Sequence, residues 1–223
     1  MIYMILGLAI VIVAVILVQR SPSVSTSTAV STVFDQSVSD GTIKFSYDSK
    51  SFGLATSKEQ VLVQAYIPPC DENFNYCLYY VGDTYKGTNF ESAGFRIQKR
   101  TDLSSENSCL TTPPSGFDPS KAPDRKSSGE GYSSSVFQNI GDAGAGHYAS
   151  GSLYRLYIKA ATSLNATSSC YEFETRIGQT QFANYPAGAI KEFTSNDFDA
   201  MQAQLLGMIS IVSLQSGSKD LFQ

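Results

Sequence analysis

The 223-residue chain has no tryptophan and a single histidine, His147. One imidazole leaves a Ser–His–Asp or Cys–His site only one place to start, Gly144-Ala145-Gly146-His147. A lone histidine in a glycine-rich turn reads as a surface residue. No nucleophile elbow of the G-x-S-x-G kind occurs, since Ser150 in Tyr148-Ala149-Ser150-Gly151-Ser152 lacks the first glycine. There is no Walker-type phosphate loop either. The loose glycine spacing of Gly141–Gly146 (GDAGAG) has no strand–loop–helix unit around it and reads as a turn. Charge is also scarce: 16% of residues are charged, against about 25% in a typical soluble domain. The balance is −4, with a pI near 5.0, so there is no basic footprint and no nucleic-acid partner is expected.

What is present starts with an apolar run. Ile2 to Val18 contains no charge and no proline. As a helix it spans about 25 Å, near the lower limit for crossing a hydrocarbon core of about 30 Å. Its length, and the absence of a preceding Lys or Arg, favour an uncleaved signal anchor over residues 1–20. The alternative is a secretory signal peptide cut near Ser27-Thr28-Ala29. The first cysteine is Cys70, so no lipobox follows the run. Arg20 alone would hold its side of the membrane in the cytoplasm, but the cysteines argue the other way. Cys70, Cys77, Cys109 and Cys170 are even in number and lack metal-ligand spacing, which reads as two bridges formed in an oxidising compartment. Three pairings exist; Cys70–Cys77 and Cys109–Cys170 are favoured, and four reduced thiols in a cytoplasmic domain is the alternative. The expected location is therefore the cell membrane, single-pass, with the C-terminal part outside the cytoplasm.

Residues 21–40 form a Ser/Thr-rich stretch with almost no charge, unable to bury enough apolar area to offset its ordering entropy, and so are expected to be a flexible stalk. The body is placed at 41–215, with a frayed tail over 216–223. Enough residues remain for one core. Within the body, alternation at period two dominates. Ile43, Phe45 and Tyr47 share one face of a strand, as do Val61, Val63, Ala65 and Ile67 of a segment ending at Pro68-Pro69. Cys77–Val81, Phe95–Arg100, Val136–Ile140, Tyr154–Lys159 and Tyr171–Ile177 supply the remaining strands. In the last, Tyr171, Phe173, Thr175 and Ile177 face in, while Glu172, Glu174 and Arg176 face out. One polar face per strand predicts an antiparallel sheet covered on one side. The cover is a C-terminal helix with Phe198, Met201, Leu205, Met208, Ile209 and Val212 at spacings of three and four. Thr194 or Ser195 would cap it. A short helical turn is expected near Ser57–Gln60. Thr101–Ser135, rich in Pro, Ser and Gly, reads as a long loop pinned by Cys109. The predicted fold class is α+β: an antiparallel meander covered by a C-terminal amphipathic helix and stapled by disulfides.

Three stretches carry a resemblance: Tyr66–Tyr80 (YIPPCDENFNYCLYY), Gly87–Gly94 (GTNFESAG) and Cys170–Phe193 (CYEFETRIGQTQFANYPAGAIKEF). Together they resemble uncharacterised membrane-anchored extracytoplasmic proteins of candidate-phylum bacteria, a group that lends no activity. A looser likeness is to the PsbP/Mog1-type α+β sandwich. It rests on the opening Phe45-x-Tyr47 strand followed by Phe52-Gly53-Leu54, the meander and the closing helix, and it implies a shape and no site.

Three chemical candidates remain. Asp71, Asn73 and Asn75 reproduce the start of a calcium loop, but Tyr76 replaces the required glycine and Gly82 the bidentate glutamate; a tight polar turn is the reading. Glu172 and Glu174 lie on one strand face about 7 Å apart, a spacing that also suits paired-carboxylate glycoside hydrolysis. With no Trp to stack a sugar, and with Arg176 on the same face, they read as a solvated outer face. Asn165-Ala166-Thr167 matches a glycosylation sequon, relevant only in a eukaryotic secretory route. No catalytic residue, metal ligand or cofactor is assigned. The expected function is a membrane-tethered binding or interaction domain for an unknown protein or glycan. Tyr79, Tyr80, Tyr85 and Phe90 form its candidate contact patch if they face solvent. The alternatives are an enzyme of unrecognised type and a pilin-like subunit of a surface assembly; the latter is disfavoured because Ser21-Pro22 ends the apolar helix and no early glutamate lies in it.

Overall fold

A computed structural model describes residues 34–61, 63–70, 73–115, 118–160 and 167–211. The apolar run, most of the expected stalk, Asp71, the sequon's Asn165, Val212 and the expected tail lie outside the described residues. Among those described, no helix is long and apolar enough to cross a membrane.

The chain is α+β and mostly antiparallel sheet. Among the described residues the strands are β1 (Gln36–Ser39), β2 (Ile43–Tyr47), β3 (Phe52–Ala55), β4 (Tyr76–Tyr80), β5 (Phe90–Lys99), β6 (Arg125–Gly129), β7 (Tyr132–Gly144), β8 (His147–Ile158), β9 (Ser169–Thr180) and β10 (Ile209–Ile211). Helix α1 covers Glu106–Thr111 and α2 covers Ser195–Gly207. Seven strands form one sheet in the order β3-β4-β5-β9-β8-β7-β6, and β1-β2-β10 form a second, three-stranded one.

The seven-stranded sheet has two unlike faces because its strands alternate. Phe95, Ile97, Tyr171, Phe173, Tyr154 and Leu156 point to the inner face, where Ile43 and Phe45 of β2 and Met201 and Leu205 of α2 meet them in one buried cluster. Helix α2 starts at Thr194, whose hydroxyl accepts from the Asp197 amide while the Asp197 carboxylate accepts from the Thr194 amide. That reciprocal cap satisfies amide groups the first turn would otherwise leave unpaired. The predicted stripe splits at its end: Met201 and Leu205 bury from the helix, whereas Met208 follows it and Ile209 enters β10.

Several expectations are corrected. Gln36–Ser39 pairs along β2, so the expected stalk gives way to folded chain before Gly41. None of the described residues of the alternating Val61–Ile67 segment lies in a strand, and the Val61 amide closes the preceding turn by donating to the Lys58 carbonyl. The Tyr66 amide donates to Glu91 and the Ile67 carbonyl accepts from the Ser92 hydroxyl. Thr101–Ser135 holds α1, β6 and the start of β7. Both disulfides of the favoured pairing are present, Cys70–Cys77 and Cys109–Cys170.

Glycines let backbone lie close on the outer face. A Cβ on Gly94 would stand 2.7 Å from the Leu78 carbonyl and 3.0 Å from Pro69. At Gly151 it would overlap the Thr175 carbonyl outright. Gly151→Ala is expected to destabilise the domain by at least about 2 kcal/mol, since a backbone carbonyl cannot step aside as a side chain can. Urea unfolding of the variant measures this.

Candidate functional site

The outer face is where the chain departs most from its expected plainness. The register sets Arg96 of β5 opposite Glu174 of β9, and Gln98 opposite Glu172. On the other side of β9, Arg155 of β8 stands opposite Glu172 and Leu153 opposite Glu174. Neighbouring strands therefore supply opposite charges to the same rows, the arrangement that stabilises cross-strand pairs. The expected solvated face is corrected accordingly: Glu172 is 2% exposed and Glu174 8%.

Glu172 is the hub. Its Oε2 accepts from Arg100 Nη1 at 2.7 Å and from Arg155 Nη2 at 2.6 Å, and its Oε1 lies 3.4 Å from Arg96 Nη2. Glu174 Oε2 accepts from Arg96 Nε at 2.9 Å and Nη2 at 2.6 Å. Arg100 turns its other edge to Asp102, donating from Nε at 2.9 Å and Nη2 at 2.6 Å. Arg155 has no exposure at all; its Nη1 donates to the Cys109 carbonyl at 3.2 Å, and its Nε has no partner among the described residues. Burial pushes the Arg155 pKa down, and the adjacent Glu172 acts the other way.

Walls rise around this floor because other segments cross the same face. Helix α1 packs on β7, β8 and β9 and is tied to β9 by Cys109–Cys170. Ser105 and Ser108 cap it reciprocally. At the other end, the 63–70 segment lies across Gly94 and Gly178, with Pro69 and the Ile67 carbonyl close above them. Between these covers a cleft of about 700 Å³ stays open, lined by Arg96, Arg100, Asp102, Glu172, Glu174 and Arg176. Asn73, Gln98 and Ser115 add neutral hydrogen-bonding groups, and Pro114, Ile140 and Leu153 apolar ones.

Such a floor carries groups suited to recognition. A general acid of the glycosidase kind needs a carboxyl held protonated, and a general base needs a lone pair aimed at substrate. Glu172 instead gives Oε2 to two guanidiniums, and Arg96 binds both carboxylates. Fixed guanidinium and carboxylate edges present donors and acceptors in rigid geometry, which suits a polar ligand.

Asp102 sets a pH dependence. Its hydrogen bonds from Arg100 lower its pKa from an ordinary 3.8 to about 2. The folded value lies below the unfolded one, so the stabilisation is complete above about pH 4 and is lost as pH falls towards 2. Its side chain is 61% exposed, so solvent screening holds the contribution to about 1 kcal/mol or less. Asp102→Asn is expected to flatten the acid limb of stability between pH 4 and 2, measured as urea midpoints.

The other sequence candidates fall elsewhere. Tyr85 and Phe90 pack on Phe193 at ring-centroid distances of 5.0 and 5.1 Å, and Tyr80 packs on Tyr85 and Phe90 at 5.7 Å, so the expected contact patch is corrected to core packing. Tyr79 is half-buried beside the Cys70–Cys77 bridge and close over Gly53. The Asn75 side chain accepts the Lys99 amide at 2.7 Å, so it closes a strand end and offers no free oxygen in the manner of a calcium loop. His147 is half-buried, with Nδ1 3.0 Å from Glu91 Oε2. Sequence reasoning missed Arg155, whose signal is that it stands between Leu153 and Tyr157 on an otherwise apolar strand face. No family model, curated protein or solved structure matches the chain.

Proposed function

We propose that this chain is a membrane-tethered, extracytoplasmic binding domain whose outer-face cleft holds a small polar ligand. The observation that carries the reading is the buried guanidinium–carboxylate floor beneath an open cleft. Removing that many charges from water stabilises a fold poorly compared with apolar packing. A cleft that keeps them in fixed positions gains directional contacts for a ligand. The outward placement is supported by the two disulfides, which persist where thiols are oxidised, and by the apolar run that precedes the folded part.

An enzyme reading has one observation in its favour, the His147–Glu91 pair, which is the layout of an oriented base. Among the described residues no hydroxyl or thiol is hydrogen-bonded to His147, so the pair has no nucleophile to activate, and binding is the better reading.

The compartment is tested by treating intact cells with protease and counting thiols in native protein by alkylation and mass spectrometry. The reading requires that external protease digest the body and that all four cysteines resist alkylation until reduced. A protected body carrying four free thiols would overturn it.

A further inference from the structure

The β7–β8 hairpin turns at Ala145 and Gly146, with φ of 50° and 83°, and delivers His147 to the end of the sheet away from the ionic floor. The imidazole is held on two sides there. Glu91 Oε2 faces Nδ1 at 3.0 Å, and the ring of Tyr66 stacks on it with centroids 4.3 Å apart at 20°. Glu91 Oε1 accepts the Tyr66 amide at 2.6 Å, so one carboxylate fixes both rings. With Nδ1 turned to Glu91, Nε2 lies at the opposite edge of the ring. Despite this orientation Tyr66 remains 59% exposed, the most exposed large hydrophobic side chain among the described residues.

Phe182 and Tyr185 are 39% and 38% exposed on the segment after β9. That segment is joined to the hairpin: the Gln181 amide donates to the Gly146 carbonyl at 2.8 Å, and the Asn184 side chain lies against Gly146. An open depression of about 660 Å³ runs over Ala143–Tyr148 and Gln181. Its floor is made of small residues, its borders carry amides, and the stretch Thr180–Ile190 contains no charged residue. Exposed aromatic rings in an ordered, uncharged setting have no role in the core.

We propose that this end of the sheet is a carbohydrate subsite for a neutral oligosaccharide, separate from the ionic cleft. A pyranose presents an apolar C–H face and a rim of hydroxyls. The exposed tyrosine rings offer flat apolar area with a polar tip, and the Gln181 and Asn184 amides and the oriented imidazole edge offer donors and acceptors for the rim. Neutrality follows from the surroundings. Glu91, the carboxylate beside it, is engaged by His147 and Tyr66; among the described residues no Lys or Arg lines the depression, and a chain of net charge −4 repels an anionic glycan. A protein partner would call for a large apolar or arginine anchor, and the floor here is Ala and Gly.

The test uses the full chain in lipid nanodiscs, free of sugar detergents, titrated with gluco-, manno- and chito-hexaoses and with a polyuronate. At least one neutral hexaose is expected to bind in the range of micromolar to millimolar affinity. Tyr66→Ala and Gln181→Ala should each weaken it tenfold or more, and Arg100→Gln should leave it unchanged. Tyr66→Phe, which keeps the ring and the fold, should retain most of the binding. The proposal is overturned if none of the neutral hexaoses binds, if only the polyuronate binds, or if binding survives Tyr66→Ala. Loss on Arg100→Gln with no effect of Tyr66→Ala would assign the sugar to the cleft and remove this subsite.

Discussion

Glu172→Ala is expected to lower the melting temperature by roughly 10 °C, the equivalent of about 3–5 kcal/mol for a domain of this size. The size of the effect comes from what remains after the carboxylate is gone. Arg155, without exposure, would keep only the Cys109 carbonyl as partner for a charge that burial already disfavours. Arg100 and Arg96 are partly exposed, at 21% and 16% of their side chains, and can recover water. Glu174→Ala should therefore cost less, because its partner Arg96, unlike Arg155, keeps part of its side chain in contact with solvent. A rescue separates this account from simple loss of packing. In Glu172→Ala/Arg155→Met the stranded charge is removed, and stability should return to within about 1–2 kcal/mol of the parent, as apolar replacements of buried ion pairs often do. If Glu172→Ala costs under 1 kcal/mol, or the double variant is no better than the single one, the hub role assigned to Glu172 is wrong.

The second large effect belongs to the Cys109–Cys170 bridge. It closes a loop with a sequence separation of 61, worth about 4 kcal/mol on loop-closure entropy. Cys70–Cys77, with a separation of 7, should contribute about 2.5 kcal/mol by the same relation. The long-loop bridge also has a local task. It fixes α1 on β9 next to Glu172, holds the carbonyl that Arg155 uses, and sets Pro114 and Ser115 at the rim of the cleft. Cys109→Ala/Cys170→Ala should thus be destabilised more than Cys70→Ala/Cys77→Ala. Hydrogen exchange should rise in α1 and around Glu172 only in the former. Equal losses in the two variants, or unchanged exchange in α1, would count against the coupling between bridge and cleft.

These effects mark the boundary of what the amino-acid order discloses. Strands β2, β5, β8 and β9 were legible because their apolar residues alternate over an inner face that meets one continuous core, and β4 because Cys77–Val81 is a short run rich in strand-forming residues. The start of α2 was legible because Thr194 and Asp197 form a local signal that depends on nothing distant. The outer face was not. Glu172, Glu174 and Arg176 alternate with apolar residues just as a solvated face would, and nothing within β9 tells that Arg96, Arg100 and Arg155 arrive from its two neighbours. Covering that face is equally non-local: α1 lies on it because a disulfide joins Cys109 to Cys170, and 63–70 lies on it because Gly94 and Gly178 leave room. Val61–Ile67 misled for the same reason, since a period of two is shared by a strand and by a segment that, at Tyr66 and Ile67, turns its hydrogen bonds to the side chains of Glu91 and Ser92. Tyr80, Tyr85 and Phe90 have the composition both of a contact patch and of core filling, and the position of Phe193 decides for the core.

The central claim is that the outer-face cleft is where this chain meets its ligand. The guanidinium Nε–Hε signals of the ¹⁵N-labelled full chain in nanodiscs report on it directly, when titrated with pools of small polar metabolites, amino acids and sugars. The account predicts saturable shifts at Arg96, Arg100 and Arg176, a smaller one at the buried Arg155, and their loss in Arg100→Gln. Guanidinium signals that stay fixed for every pool, while other parts of the spectrum shift and saturate, would contradict it.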